Sequence, residues 1–356
     1  MRPVGATLVA LALCIVALGQ GGGPSTGSTA APAKGGRGFD VTRMDKSAAA
    51  CQDFYQYANG NWLNTTEIPP AYSSWGSFNI LAENNRSTLR TILDETSKNR
   101  NARRGTTEQK IGDFYATCMD EPAIEAAGAK PIQPELDRIA KIASQKDFQA
   151  QLARMHSMGI PALFGFGSVP DFKNSKVNGA IAAQGGLSLP NRDYYTKTDE
   201  RTTKLREEFV AHVGRMFQLL GDSAEQAAAN AKAVMAVETR LAENSRTPVE
   251  LRDLSKRYNK MEMAKLAELT PNFTWADYFR GIGAPAFPDI NIADPEFFRA
   301  LSAALSEVPL ADWKTYLRWQ LVNAAAPALS SNFETENFNF FGKTLQGRKE
   351  QLPRWR

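Results

Sequence analysis

Two amphipathic helical patterns follow one another between Thr203 and Asn244, and they constrain the fold more than any other feature of this sequence. The first pattern carries its apolar side chains three or four positions apart: Leu205, Phe209, Val213, Met216 and Leu220. Gly221 then stands where a helix commonly ends. The second pattern begins with Ser223 and Gln226, which resemble a capping box. Each helix must bury its apolar face, so we predict a multi-helix domain.

The rest of the chain repeats this helical character. Leu89, Ile92 and Leu93 share one face of a helix predicted over residues 85–99. Three further helices are predicted over residues 261–269, 296–305 and 310–326. Extended character is limited to residues 162–167 and 180–183. The predicted fold class is therefore mostly α, with at most a few short strands.

The first residues resemble an export signal. Arg2 precedes an apolar run over residues 6–18, and small residues stand at Ala17 and Gly19. The run is shorter than the ~20 apolar residues that a membrane helix needs. We predict a signal peptide over residues 1–19 and an exported protein, periplasmic or extracellular, with no membrane span after its removal. A lipid anchor at Cys14 is less favoured, because Leu13 is large for that signal.

A change in composition marks the start of the folded part. Residues 20–43 are rich in Gly, Ser, Pro and Ala, which predicts a flexible linker. Residues 44–356 then form the predicted helical domain, long enough to bury a core without metal or disulfides. The formal net charge is only +4, and the basic stretch 98–104 contains no aromatic residue. Nucleic acid is therefore not an expected partner.

The sequence contains only two histidines, His156 and His212. They lie 56 positions apart, whereas a metallopeptidase helix carries two histidines four positions apart with a Glu beside the first. Glu208 precedes His212 by four positions, but one carboxylate and one imidazole do not complete a zinc site. We predict that both histidines pack in or on helices, and that this chain binds no metal.

No other catalytic arrangement is visible. The sequence contains no G-x-S-x-G elbow, no Walker A loop and no G-x-G-x-x-G. The adjacent acids at residues 120–121 and 207–208 point in different directions on a helix, which indicates solvated surface. Cys51 and Cys118 remain after signal removal, and they either pair with each other or have partners outside this sequence. No catalytic residue is predicted in this chain.

Several short motifs nevertheless resemble one family in the same order. They include CQDFYQYANGNWL (51–63), SWGSF (74–78), FYATCMD (114–120), GLSLPNRDYY (186–195), YNKM (258–261), PNFTW (271–275), YLRW (316–319) and PRW (353–355). Together they resemble the neprilysin and endothelin-converting-enzyme family of zinc metallopeptidases, in a bacterial-type member. The resemblance extends from about residue 44 to residue 356, and LPNRDYY is its most specific element.

The resemblance implies that this chain is the N-terminal helical lobe of such an enzyme. In the family, that lobe encloses a chamber that admits small or flexible peptides. The zinc site, H-E-x-x-H with a downstream Glu, belongs to a C-terminal lobe that has no counterpart here. Zinc is thus implied as the cofactor of the full-length enzyme, the C-terminal lobe as a partner, and small peptides as substrates.

The resemblance also carries implications for single residues. Ser74 and Asn79 occupy positions where animal members carry an Arg and an Asp that grip the substrate, so they are the candidate substrate-binding residues. Asn59 replaces a cysteine of animal members, as in bacterial ones. In the family, the partners of Cys51 and Cys118 lie beyond residue 356, so both disulfide candidates would bond outside this chain.

Three functional hypotheses follow. The first is the exported N-terminal part of a zinc metalloendopeptidase, with this sequence a fragment that is inactive alone. The second is a free-standing, non-catalytic helical domain that binds peptides. The third is a split enzyme whose zinc lobe is a separate polypeptide. A Cys51–Cys118 bridge is expected only from the free-standing domain.

Overall fold

The computed structural model describes residues 40–356, so the predicted signal peptide and most of the predicted linker lie outside the described residues. In the described part, the helices are α1 Phe54–Thr65, α2 Ser77–Lys98, α3 Thr107–Cys118, α4 Glu121–Ala127, α5 Gln133–Ala140, α6 Gln145–Ser157, α7 Asp193–Thr196, α8 Glu200–Leu219, α9 Ala224–Glu243, α10 Met263–Leu269, α11 Trp275–Gly281, α12 Pro295–Glu307, α13 Leu310–Ala325 and α14 Ser331–Asn337. A π-helix, Phe338–Leu345, continues α14. The prediction of a mostly α fold is confirmed.

The ends of α8 and α9 follow from local chemistry. The Ser223 hydroxyl accepts a hydrogen bond from the Gln226 backbone N–H at 3.2 Å, as a helix N-cap does. The Gln226 side chain donates to Asn230 instead of reaching back, so only half of the predicted capping box forms. Gly221 follows α8 with φ +98, a conformation that glycine adopts with little strain. The predicted end of the helix is confirmed.

The strands form one small sheet in the order β1-β2-β4-β3. Strands β1 (Phe164–Asp171) and β2 (Asn174–Gln184) form an antiparallel hairpin, which is longer than the predicted extended segments. Strand β4 (Asp289–Ile292) pairs with β2 in parallel and with β3 (Lys260–Glu262) in antiparallel. The helix predicted over residues 261–269 was wrong at its start, because Met261 and Glu262 pair with β4 and the helix begins at Met263.

Aromatic side chains form the core where the sheet meets the helices. The Phe164 ring lies 5.1–5.6 Å from five other rings, those of His156, Phe273, Trp275, Tyr278 and Phe298. A second cluster joins α8, α13 and the π-helix through Phe209, His212, Trp319 and Phe340. Both clusters are buried within residues 121–345, so the main core belongs to that part of the chain.

Helices α1–α3 stand apart from this core. Glycine is the sole buried residue type in them, at Gly60 and Gly112. A Cβ at Gly112 would lie 2.6 Å from the carbonyl oxygen of Thr96, so glycine permits the close packing of α3 on α2. None of the helices within residues 40–356 is long and apolar enough to cross a membrane.

Residues 348–356 connect α1–α3 to the main core, and we call them the clasp. The Lys349 backbone N–H donates to the Pro70 carbonyl at 2.8 Å. Arg356 pairs with Glu83 of α2, and the Arg90 guanidinium lies 4.2 Å over the Trp355 ring. The clasp also contacts the core side, where Arg354 bonds to Glu334 at 2.6 Å.

Candidate functional site

Both histidines are engaged inside the fold, as predicted. His156 on α6 bonds to the Tyr278 hydroxyl and to the Ala162 carbonyl, each at 2.7 Å. His212 on α8 is fully buried, and its Nδ1 lies 2.7 Å from Glu336 on α14. Burial lowers the pKa of both imidazoles, which keeps them neutral near pH 7. Neither histidine is placed to bind a substrate from solvent.

The described residues do not fit a zinc site. No three His, Cys, Asp or Glu side chains within residues 40–356 lie close enough together to hold a metal ion. The adjacent acids at residues 120–121 lie on the surface, and Asp120 caps α4 by accepting from the Ala123 N–H at 3.2 Å. Glu207 is exposed and Glu208 is half-buried.

The two candidate substrate-binding residues lie at the entry to α2. Ser74 is exposed in the loop before the helix, and Asn79 is half-buried in the first turn. This loop is held by Tyr72, whose ring lies 4.8 Å from that of Trp75 and whose hydroxyl donates to Glu83. Their role in binding peptides is untested and stays a prediction.

The two candidate disulfide cysteines lie on the surface. Cys51 precedes α1 and Cys118 ends α3, and both side chains are exposed. Cys51 has no disulfide bond in the structure. Bonding to residues outside this chain stays a prediction.

The most specific motif, residues 186–195, forms a loop docked on a buried carboxylate. We call these residues the motif loop. Glu238 of α9 is fully buried and accepts from the Ser188 N–H at 3.0 Å and the Ser188 hydroxyl at 2.6 Å. It also accepts from the Tyr195 hydroxyl at 2.5 Å and from Gln320 at 3.0 Å. Burial raises the pKa of Glu238 to about 7, although hydrogen bonds from Ser188, Tyr195 and Trp319 oppose the rise.

The YLRW motif of α13 secures the start of the same loop. The Tyr316 hydroxyl accepts from the Leu163 N–H at 2.9 Å and donates to the Gly186 carbonyl at 2.8 Å. The Trp319 indole donates to the Ser188 hydroxyl at 2.7 Å. Leu163 has φ +59, so this contact holds a strained backbone in place. Two motifs that are distant in sequence therefore serve one structural network.

The outer side of the motif loop lines a polar groove of about 470 Å³. Loop residues Asn191, Asp193 and Tyr194 form one wall, the first turns of α8 form the second, and Thr344 and Leu345 of the π-helix form the third. Lys197 pairs with Asp193 at 2.9 Å on its rim. The groove has the size of a ligand site but not its usual apolar lining.

Sequence reasoning missed Glu238, although a signal was present. The buried face of α9 repeats at intervals of three and four residues: Ala227, Ala231, Val234, Glu238 and Leu241. A charged residue in phase with an apolar face must find hydrogen-bond partners. The sequence does not show that those partners would come from the motif loop and from α13.

This chain is similar in sequence to known proteins over most of its length. Residues 50–356 match Peptidase family M13. Endothelin-converting enzyme 1 of Rattus norvegicus is 28% identical over 330 residues, which cover 89% of this chain and 42% of that protein. Neprilysin-3 of Drosophila melanogaster is 27% identical over 335 residues, which cover 88% of this chain and 42% of that protein.

Solved structures of similar proteins overlay on this chain. The zinc metalloprotease Zmp1 of Mycobacterium tuberculosis in complex with an inhibitor overlays with a TM-score of 0.83 at 30% identity, covering 89% of this chain and 48% of that one. PepO of a Lactobacillus overlays with a TM-score of 0.69 at 16% identity, covering 86% of this chain and 48% of that one, which is a likeness of fold. The chain thus spans less than half the length of these relatives.

Proposed function

This chain belongs to Peptidase family M13, and on that premise we propose that it is the N-terminal, substrate-chamber domain of an exported zinc metalloendopeptidase that cleaves small peptides. Zinc would be held by an H-E-x-x-H segment of a C-terminal lobe and would activate the attacking water there. The main support is that residues 50–356 match the family, while the chain covers only 42% and 48% of two relatives, which leaves room in them for a second lobe.

The exposed apolar face of α1–α3 supports the partner in this proposal. On α2, Phe78 is 89% exposed, and Leu81, Leu89 and Ile92 follow on the same side of the helix. Ile111 and Phe114 add exposed apolar surface on α3. Large apolar side chains exposed along one face of a helix are a feature of protein interfaces. We propose that the C-terminal zinc lobe covers it.

The role of this chain would be to bind peptides and to select among them, with no part in the chemical step. We propose that Ser74 and Asn79, at the entry to α2, face the peptide near that interface. Ser74 is exposed, and a hydroxyl and an amide can each donate to and accept from a peptide backbone. Neither side chain carries charge, so such a site would read the backbone of the peptide and not its charge.

The first experiment isolates the native protein from its source with an antibody against this chain. We expect an intact mass well above the 39.1 kDa of the present sequence, bound zinc, and cleavage of a fluorogenic peptide that a zinc chelator abolishes. A mass at or below 39.1 kDa with no cleavage would contradict the single-chain enzyme. Peptide binding by that shorter protein would support a non-catalytic binding domain, and zinc on a co-purifying polypeptide would support a split enzyme.

A further inference from the structure

Glu238 is a buried carboxylate whose four donors are all neutral groups. They are the Ser188 N–H, the hydroxyls of Ser188 and Tyr195, and the Gln320 amide. No cation contacts this carboxylate among the described residues. A buried carboxylate without a cationic partner keeps much of the free-energy cost of leaving water when it is charged.

The cations on neighbouring elements are engaged elsewhere. Arg192 of the motif loop donates to the Ser245 carbonyl at 2.9 Å, and Arg246 pairs with Asp294 at 3.2 Å. Arg318 of α13 pairs with Asp222 at 2.9 Å. Arg206 and Arg215 of α8 bond to Tyr194 and Glu336, and Glu307 of α12 pairs with Arg240. The titratable groups that face Glu238 are the hydroxyls of Tyr195 on α7 and Tyr316 on α13.

Both tyrosines remain neutral across the physiological range. Burial is the main cause that raises the pKa of Tyr195 and of Tyr316 well above the ordinary value, and the charge of Glu238 adds to it. The proton of Glu238 is therefore the one that can leave this network near neutral pH.

We propose that Glu238 is a proton-sensitive switch for the motif loop: while it holds a proton the loop stays docked on α9 and α13, and loss of the proton makes the loop easier to detach. The sign follows from linkage. Detachment exposes Glu238 to water, where it ionises more readily than in the buried site, so a rise in pH favours the detached state. Glu238 acts through the loop and is a positioning residue.

Detachment of the motif loop would also affect the polar groove on the protein surface. Asn191, Asp193 and Tyr194 line the polar groove, and they lie between Ser188 and Tyr195, both of which bond to Glu238. Detachment of the loop would therefore change one wall of the groove. This proposal does not depend on the proposed peptidase activity, because it concerns residues of this chain alone.

Amide hydrogen exchange on the whole 356-residue chain tests the proposal, with each rate corrected for the intrinsic effect of pH. We expect the protection of the Ser188 and Leu189 amides to fall from about pH 4.5 to about pH 7, by up to about tenfold per pH unit between the ordinary pKa of a Glu and the raised pKa of Glu238, and to level off above it. Amides of α12, which makes no hydrogen bond to the loop among the described residues, should hold constant protection. Constant protection of the loop amides over this range would overturn the proposal.

Two variants separate a switch from a merely structural contact. Glu238→Gln cannot ionise, so its loop protection should be independent of pH even if its absolute value changes. Tyr195→Phe removes one donor to the carboxylate and should move the midpoint of the transition to higher pH. Glu135→Gln is the control, since Glu135 is also buried but is paired with Arg154 at 2.6 Å. A pH response in Glu238→Gln equal to that of the wild type would also overturn the proposal.

Discussion

At the residue scale, single polar atoms hold segments that are far apart in sequence. The Tyr316 hydroxyl is the clearest case, because it bonds to both Leu163 and Gly186. A Cβ on Gly186 would lie 2.6 Å from that hydroxyl, so this position needs glycine for the close approach as well as for its φ of +80. The sequence motifs mark these residues but not their contacts.

Replacing Tyr316 by Phe should destabilise the protein by about 1–3 kcal/mol, because a buried N–H and a buried carbonyl each lose a partner. Urea unfolding at constant pH measures the change. Tyr55→Phe is the matched control, since Tyr55 is 66% exposed. An equal midpoint for Tyr316→Phe and the wild type would contradict the assigned role.

The burial of His212 predicts how the stability of the fold changes as the pH falls. Burial lowers its pKa, so the folded protein holds the proton less tightly than the unfolded chain. The contribution of His212 to the free energy of unfolding is therefore complete above about pH 6.5, the ordinary pKa of a histidine, and is lost as the pH falls below it. The physical reason is that Nε2 is buried and no group of residues 40–356 accepts from it, so a proton there has no partner.

His212→Asn should be less stable at every pH, since the ring contact with Phe340 is lost, but its stability should fall less between pH 7 and pH 5. His156 would retain its own contribution, so the pH dependence should shrink without disappearing. Denaturant titrations at several pH values test this expectation. A variant with the full pH dependence of the wild type would exclude His212 as a source.

At the element scale, periodicity predicted the long helices well, because an apolar face every three or four residues leaves few alternatives. The helix predicted over residues 203–221 is α8, Glu200–Leu219. The π-helix Phe338–Leu345 had no such signal. Strand β3 had no such signal either. Its three residues are extended because they pair with β4, which lies some 30 residues further along the chain.

Two glycines of the α8 region should respond to alanine in opposite directions. Gly221 has φ +98, so Gly221→Ala should cost about 1–2 kcal/mol. Gly214 lies inside α8, and an added Cβ would lie 3.9 Å from its nearest neighbours, an ordinary contact. Gly214→Ala should therefore stabilise the protein by about 0.5–1 kcal/mol. Thermal melts of the two variants measure both effects, and a shift in the same direction would refute the assignment of the helix end.

At the scale of the whole molecule, the clasp joins α1–α3 to the rest. Trp355→Ala removes the ring beneath Arg90, so we expect faster amide exchange in α2 and α3 and unchanged exchange in α9 and α13. Lys349→Ala is the control, because Lys349 contacts Pro70 through its backbone N–H. Equal exchange rates of the α2 and α3 amides in the wild type and in Trp355→Ala would show that α1–α3 need no clasp.

The parallel pairing of β2 with β4 has a consequence for synthesis. Ala180 pairs with Ile290, so 110 residues must leave the ribosome between the two partners. At about 5–20 residues per second, that interval is roughly 5–20 s. During it the hairpin of β1 and β2 can form while the second edge of β2 is still unpaired. A nascent chain halted within this interval therefore presents an open strand, the state in which a chaperone would be needed most.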